Sequence, residues 1–252
     1  MSAMTSITKN YTGREMPDCS GMKAFVLPGA FYSACVALMA EAGFSKANTV
    51  EEADVVVFIG GEDINPKLYG EEAHKTTYFT DDRDFQEEFF YRKAQKLGKV
   101  CFGICRGAQF LHAMNGGKLW QNVNNHGGPD HVIYDIDEDV YVKATSLHHQ
   151  MLMFNKDMDM IACTKDQVAT RFEDYATVLH IDKDAEDAAV ELEIEAGCYA
   201  LTKCFFVQGH PEIGCEEYRS WTMTKLFELM LEWGSGDPVA DEPYDDSEGV
   251  AA

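Results

Sequence analysis

The segment Val100-Cys101-Phe102-Gly103-Ile104-Cys105-Arg106-Gly107 constrains this chain more than any other. An apolar run passes without a polar spacer into a stretch of helical periodicity, so the backbone must turn sharply at Cys105. Glycines stand two positions to either side of the cysteine. So tight a turn needs them, because a side chain at either place would collide with the neighbouring strand or helix. The turn pushes the Cys105 sulfur out at the end of a strand, as in a nucleophile elbow. A buried cysteine on a strand-to-helix turn fits the same local pattern, since free cysteine is among the most buried residue types.

A second segment decides between them. Phe205-Phe206-Val207-Gln208-Gly209-His210-Pro211-Glu212 is another apolar run, and it ends in a histidine and a carboxylate. A thiol attacks only as thiolate, an imidazole can take its proton, and a carboxylate can fix the tautomer and orientation of that imidazole. Cys105, His210 and Glu212 are thus candidates for nucleophile, general base and orienting acid.

The remaining elements alternate. Residues 23–27 predict a strand and 31–42 a helix that Gly43 stops; 54–59 form a continuous apolar strand running into Gly60-Gly61. A run without polar alternation implies burial on both faces, as in a parallel sheet. Thr80-Asp81-Asp82-Arg83 opens a helix whose apolar residues are Phe85, Phe89, Phe90, Ala94 and Leu97. Residues 100–104 give the next strand and 106–115 the helix after the elbow. This order predicts an α/β fold, a three-layer sandwich with a mostly parallel central sheet. Beyond Lys118, short runs such as 140–144 and 204–207 predict antiparallel additions. Residues 216–233 predict a closing helix with Trp221, Leu226, Phe227, Met230 and Leu231 inward. Residues 1–21 are polar and predict a flexible segment, 22–234 a single domain, and 235–252 an acidic disordered tail.

The 43 Asp and Glu against 21 Lys and Arg give a net charge of -22, whose field repels phosphate backbones and argues against nucleic acid as a partner. A cationic small substrate, such as a polyamine conjugate, would suit that field. Eight cysteines without regular spacing, and no signal-peptide core, predict a reducing cytoplasmic setting. No apolar run reaches the ~20 residues needed to span a bilayer. Cys101, Cys105, His126, His131, His148 and His149 are of the types that ligate metals. Cys101 falls in a strand, and no Cys-x-x-Cys or His-x-x-x-His pair occurs, so no metal site is expected.

Gly103-Ile104-Cys105-Arg106-Gly107-Ala108-Gln109, followed by Gln208-Gly209-His210-Pro211-Glu212, resembles the class I glutamine amidotransferases, which have a flavodoxin-like core. Three further segments resemble the gamma-glutamyl hydrolase branch: Gly60-Gly61-Glu62-Asp63-Ile64-Asn65-Pro66 with Tyr69-Gly70-Glu71, Arg83-Asp84, and Ser146-Leu147-His148-His149-Gln150. The resemblance runs over residues 23–232. It implies a cysteine hydrolase that cleaves a gamma-glutamyl amide or glutamine through a glutamyl thioester, with no cofactor. The alternatives are a glutaminase that passes ammonia to a separate synthetase, and a catalytically idle binding protein on the same fold. The amine released and the oligomeric state, a homodimer among the options, stay open.

By the same resemblance, Gly61 and the amide of Arg106 supply the oxyanion hole, with the Arg106 side chain solvated. Gln109, one helical turn after Cys105, reaches the glutamyl head group. Ser146, Leu147 and His148 close the pocket around the α-amino and α-carboxylate groups. Asp63 either contacts substrate or caps the Asn65-Pro66 turn; Arg83 and Asp84 anchor a helix start near the elbow; His149 is structural. Gly209 departs from the pattern, which has a large aromatic residue there. Its missing side chain leaves either a gap that neighbours fill or a wider leaving-group pocket.

Overall fold

A computed structural model describes residues 9–182 and 191–234. The strands Cys204–Val207, Val100–Ile104, Val55–Phe58, Lys23–Val26 and Ser45–Lys46 lie side by side, each parallel to the next. The first three are buried along their whole length, as their unbroken apolar runs require. On the other side of Cys204–Val207 the sheet continues antiparallel through Ile194–Tyr199, Asp159–Thr164, His131–Asp135 and Val140–Ala144. The expected change of pattern beyond Lys118 is this antiparallel wing.

Among the described residues four α-helices cover the sheet: α1 (Tyr32–Glu41), α2 (Asp81–Lys96), α3 (Arg106–Met114) and α4 (Glu216–Trp233). Side chains alternate across each strand. Val55, Val57, Ile59, Phe102 and Phe205 pack with Cys35 and Leu38 of α1 and Trp221 and Leu226 of α4. Val56, Phe58, Cys101 and Phe206 pack on the opposite face with Tyr91 and Ala94 of α2 and Phe110 and Leu111 of α3. The result is a three-layer α/β sandwich.

Helix α2 is rotated from its expected setting. Phe85 is 71% and Phe89 56% exposed, while Asp84, Glu87, Tyr91 and Ala94 face inward. The buried guanidinium of Arg106 demands carboxylate partners, and Asp84 and Glu87 can supply them only by turning the two phenylalanines to solvent. Helix α4 matches its expected face except at Leu231, which is 60% exposed. The N-terminal segment is tied down from Lys9 onward: Lys9–Asn10 pairs in parallel with Val140 and Tyr141, and Cys19 is fully buried. Tyr11, Met16 and Met22 pack against the same core and are the apolar anchors that the polar average of this stretch conceals. The tail at 235–252 lies outside the described residues.

Candidate functional site

Cys105 sits between the end of Val100–Ile104 and the first turn of α3, with φ 53° and ψ -107°. A non-glycine residue at positive φ is strained, and the surrounding glycines make the strain tolerable. A Cβ on Gly103 would lie 2.6 Å from the Gly107 carbonyl, and one on Gly107 would strike the carbonyl of Phe58. Strand, turn and helix therefore touch backbone to backbone, and only the cysteine side chain is pushed outward.

The strand Cys204–Val207 pairs in register with Val100–Ile104, so the residues that follow it arrive beside the elbow. There His210 comes beside Cys105, both within 4 Å of the point where a Cβ on Gly60 would sit, and its Nδ1 lies 2.7 Å from Glu212 Oε1. Burial opposes a charge on His210, but the hydrogen bonds and charges of Cys105 and Glu212 outweigh it and raise the imidazole pKa to about 10. Thr145 Oγ1 accepts from the His210 amide at 2.5 Å and holds the ring's backbone in place. Phe31, missed in the sequence, covers the ring edge-on with centroids 5.4 Å apart. Its φ of 57° was the signal, and such backbone strain is not visible in composition.

The Gly60-Gly61 loop closes the third side. A Cβ on Gly60 would lie 2.8 Å from His210 Cε1, and one on Gly61 would overlap the Arg83 guanidinium. Arg83 Nη2 donates to the carbonyls of Ile59 and Gly60, both at 3.0 Å, and its Nε donates to Glu87 Oε1 at 3.0 Å. The other Glu87 oxygen accepts from Arg106, whose Nη2 reaches Asp84 Oδ1 at 2.6 Å. The Arg106 side chain is thus buried and ion-paired, not solvated, and α2 bolts the glycine loop to the elbow. Arg83 and Asp84 anchor this junction as their position suggested.

Cys105, Gly61, Asp63, Gln109, Leu147 and His148 line one cavity of about 210 Å³, together with Glu62, Tyr78 and His149. Asp63 does not cap the Asn65-Pro66 turn, which Asn65 caps for itself; its oxygens accept from the Tyr78 amide at 2.9 Å and bond His149 Nε2 at 2.8 Å. That bond raises the His149 pKa against the effect of burial, and His149 belongs to the cavity wall. Ser146 does not reach the cavity. It is fully buried, and its hydroxyl donates to the His126 carbonyl at 2.9 Å.

Gly209 opens no extra space. A Cβ there would lie 2.7 Å from Tyr218 Oη and 2.8 Å from the Thr145 carbonyl, so α4 supplies the aromatic ring that this position lacks. Behind His148, the structure also gathers His126 and Glu195 into a buried set able to hold a metal ion. Ligand spacing gave no hint of it, because the three residues come from separate segments. The signal that existed was Glu193-Ile194-Glu195, two carboxylates at the start of a strand that the fold buries.

A parallel sheet carrying a cysteine elbow, with histidine and glutamate at the end of the adjacent strand, defines a protein of the glutamine amidotransferase fold class. Many solved structures share this fold, and two illustrate it. One is a glutamine amidotransferase from Thermotoga maritima, at TM-score 0.50 and 13% identity over 84% of this chain and 85% of that one. The other is a Thermoplasma acidophilum protein provisionally named as part of a GMP synthase, at TM-score 0.52 and 12% identity over 84% and 96%. Residues 30–212 match the Peptidase C26 family, and the chain belongs to it. Among curated relatives it is 29% identical to protein NtpR of Enterococcus hirae over 126 residues, 41% of this chain and 52% of that protein. It is 26% identical over 191 residues, 74% of this chain and 58% of the relative, to a Mycobacterium tuberculosis protein provisionally named a glutamine amidotransferase. The chain spans about half the length of these two curated relatives. No helix among the described residues is long and apolar enough to cross a membrane.

Proposed function

We propose that the chain is a cysteine hydrolase of gamma-glutamyl amides, with Cys105, His210 and Glu212 as its catalytic triad. The observation that carries this reading is the placement of a strained elbow cysteine beside a histidine whose Nδ1 is 2.7 Å from a buried glutamate. The imidazolium favoured at His210 is the natural partner of a Cys105 thiolate.

The glutamyl group enters the cavity with its side-chain carbonyl over Cys105. Its α-ammonium faces Asp63, while Gln109, Leu147 and His148 enclose the head group. Cys105 Sγ attacks the carbonyl carbon, forming the C–S bond, and the backbone amides of Arg106 and Gly61 receive the oxyanion. The Arg106 amide is available because it opens α3 and has no partner within the helix. The tetrahedral adduct collapses, the C–N bond breaks, and His210 gives its proton to the departing amine. Water then attacks the thioester as His210 takes a proton from it, and the C–S bond breaks to release glutamate and the thiolate. No cofactor takes part.

The second reading is an amidotransferase component, in which the amine released is ammonia destined for a separate synthetase. The names of several relatives favour it. One product assay separates the two, a panel of gamma-glutamyl amides beside free glutamine. Faster release from substituted amides supports the hydrolase. Turnover confined to glutamine, rising when a synthetase partner is added, supports the amidotransferase.

A further inference from the structure

Behind the cavity wall lies a cluster of which the reaction above uses only His148. Glu193 and Glu195 are fully buried, and their ion-pair partners among the described residues are histidines alone. Glu193 is already satisfied: one oxygen accepts from the amides of Val168 and Ala169 at 2.9 Å each, and the other takes the Nε2 proton of His126 at 2.7 Å. That bond fixes the His126 tautomer and leaves Nδ1 as a lone pair, with the Ser146 hydroxyl, whose proton goes to the His126 carbonyl at 2.9 Å, at a long 3.5 Å from it. Nδ1 faces Glu195 Oε1 at 3.7 Å, too far for a hydrogen bond.

His148 Nε2 lies 3.9 Å from the same oxygen. Both ring nitrogens of His148 and the second oxygen of Glu195 are buried without a hydrogen-bond partner. The rings of His126 and His148 lie only 4.6 Å apart, so charging both would bring like charges together without water between them. Two lone pairs and a carboxylate therefore converge on one point, their ligand atoms all within 4.8 Å of one another. A cation at that point would satisfy them together.

We propose that His126 Nδ1, His148 Nε2 and Glu195 bind a divalent transition-metal ion of the zinc type. Two imidazoles and one carboxylate suit such an ion and not Mg²⁺ or Ca²⁺, which take oxygen ligands. The two separations from Glu195 Oε1, 3.7 and 3.9 Å, exceed by a few tenths of an ångström the roughly 3.4 Å between neighbouring ligands of a tetrahedral zinc ion with bonds near 2.1 Å, and with all three ligand atoms within 4.8 Å, binding would have to draw them together. The outer partners are those of a metal centre as well: Glu193 orients His126, and His131 Nε2 bonds Glu195 Oε1 at 2.8 Å. The ion would pin the loop before His131, the loop after Val140–Ala144 and the strand Ile194–Tyr199 together. It would thereby hold His148, and with it the cavity wall, in one position.

The test uses the full chain carrying Cys105→Ser, so that the elbow thiolate cannot be the ligand, purified without a metal-affinity tag and dialysed against chelator. Zn²⁺ or Co²⁺ is then titrated in. The expected result is about one ion bound per chain, a tetrahedral-type Co²⁺ absorption spectrum and a higher melting temperature. Glu195→Gln should abolish binding, and Glu193→Gln should weaken it ~10–100-fold, the usual effect of removing an outer partner. Absence of stoichiometric binding by the chelated protein would overturn the proposal. So would equal binding by the Glu195→Gln protein, which would place the ion elsewhere. Because the first measurement needs no change within the cluster, misfolding of a variant cannot obscure it.

Discussion

The phenolic oxygen of Tyr218 stands 2.7 Å from the point where a side chain at Gly209 would begin. One residue on α4 thus occupies the space beside His210 that a large residue in the chain of the triad strand would otherwise fill. Because Tyr218 is fully buried, it cannot swing into solvent to make room. Gly209→Ala should destabilise the fold by ~1–3 kcal/mol, the usual cost of overpacking, read from chemical denaturation. Gly209→Trp should fail to fold alone and recover in part when combined with Tyr218→Ala. A stable single tryptophan variant with altered amide preference would mean that the space is open after all.

Glu87 lies between the glycine loop and the elbow, the two halves of the proposed oxyanion site, bonded to Arg83 on one oxygen and Arg106 on the other. Breaking a buried pair by removing one partner typically costs ~3–5 kcal/mol, because the remaining charge is left unpaired. Glu87→Gln should therefore lower the unfolding free energy by about that amount and reduce kcat more than it raises KM, since donors to a transition-state oxyanion would lose their setting. An unchanged kcat in a folded variant would detach this network from the chemistry.

The elevated pKa of His210 has a definite sign. The folded chain holds that proton more tightly than the unfolded one, whose histidine titrates at about 6.5. The resulting stabilisation is complete below about 6.5 and disappears as pH rises through the folded value of about 10. An NMR titration should place the wild-type His210 ring near the upper value and the Glu212→Gln ring well below it. The melting-temperature gap between these two proteins should be widest in mild acid and close toward pH ~10. A histidine that titrates in the ordinary range in both would remove Glu212 from its orienting role.

Phe31 packs edge-on against the buried His210 ring at a centroid distance of 5.4 Å and is itself 47% exposed. Phe31→Ala should leave stability within ~0.5 kcal/mol of wild type, as for other surface substitutions, while changing the relative kcat/KM for bulky and small leaving amines. Identical ratios in the two proteins would show that Phe31 shields the ring without shaping the leaving-group path.

The parts of this molecule that could be read from residues alone are those specified locally. The runs around Val55 and Val100 declare a buried parallel sheet, and the glycines at 103 and 107 declare the elbow between them. The orientation of α2 could not be read, because Phe85 and Phe89 suggest a buried face and the opposing demand comes from Arg106 on another helix. Ser146 and His148 are neighbours in one motif, yet Ser146 turns to the His126 carbonyl and His148 toward the cavity; only the fold brings His126 there. Glu195 joins the same cluster from a strand that pairs with Asp159–Thr164, contacts that no spacing rule encodes. Tyr218 compensates for Gly209 through the packing of α4, which is equally remote in the chain.

The most direct test of covalent catalysis is mass spectrometry of an acid-quenched reaction with a gamma-glutamyl amide. The wild-type chain should carry one glutamyl group, localised by fragmentation to Cys105, while Cys105→Ala should carry none and lose turnover by several powers of ten with its melting temperature preserved. Turnover at the wild-type rate in Cys105→Ala, or a glutamyl adduct on any other residue, would contradict covalent catalysis at the elbow.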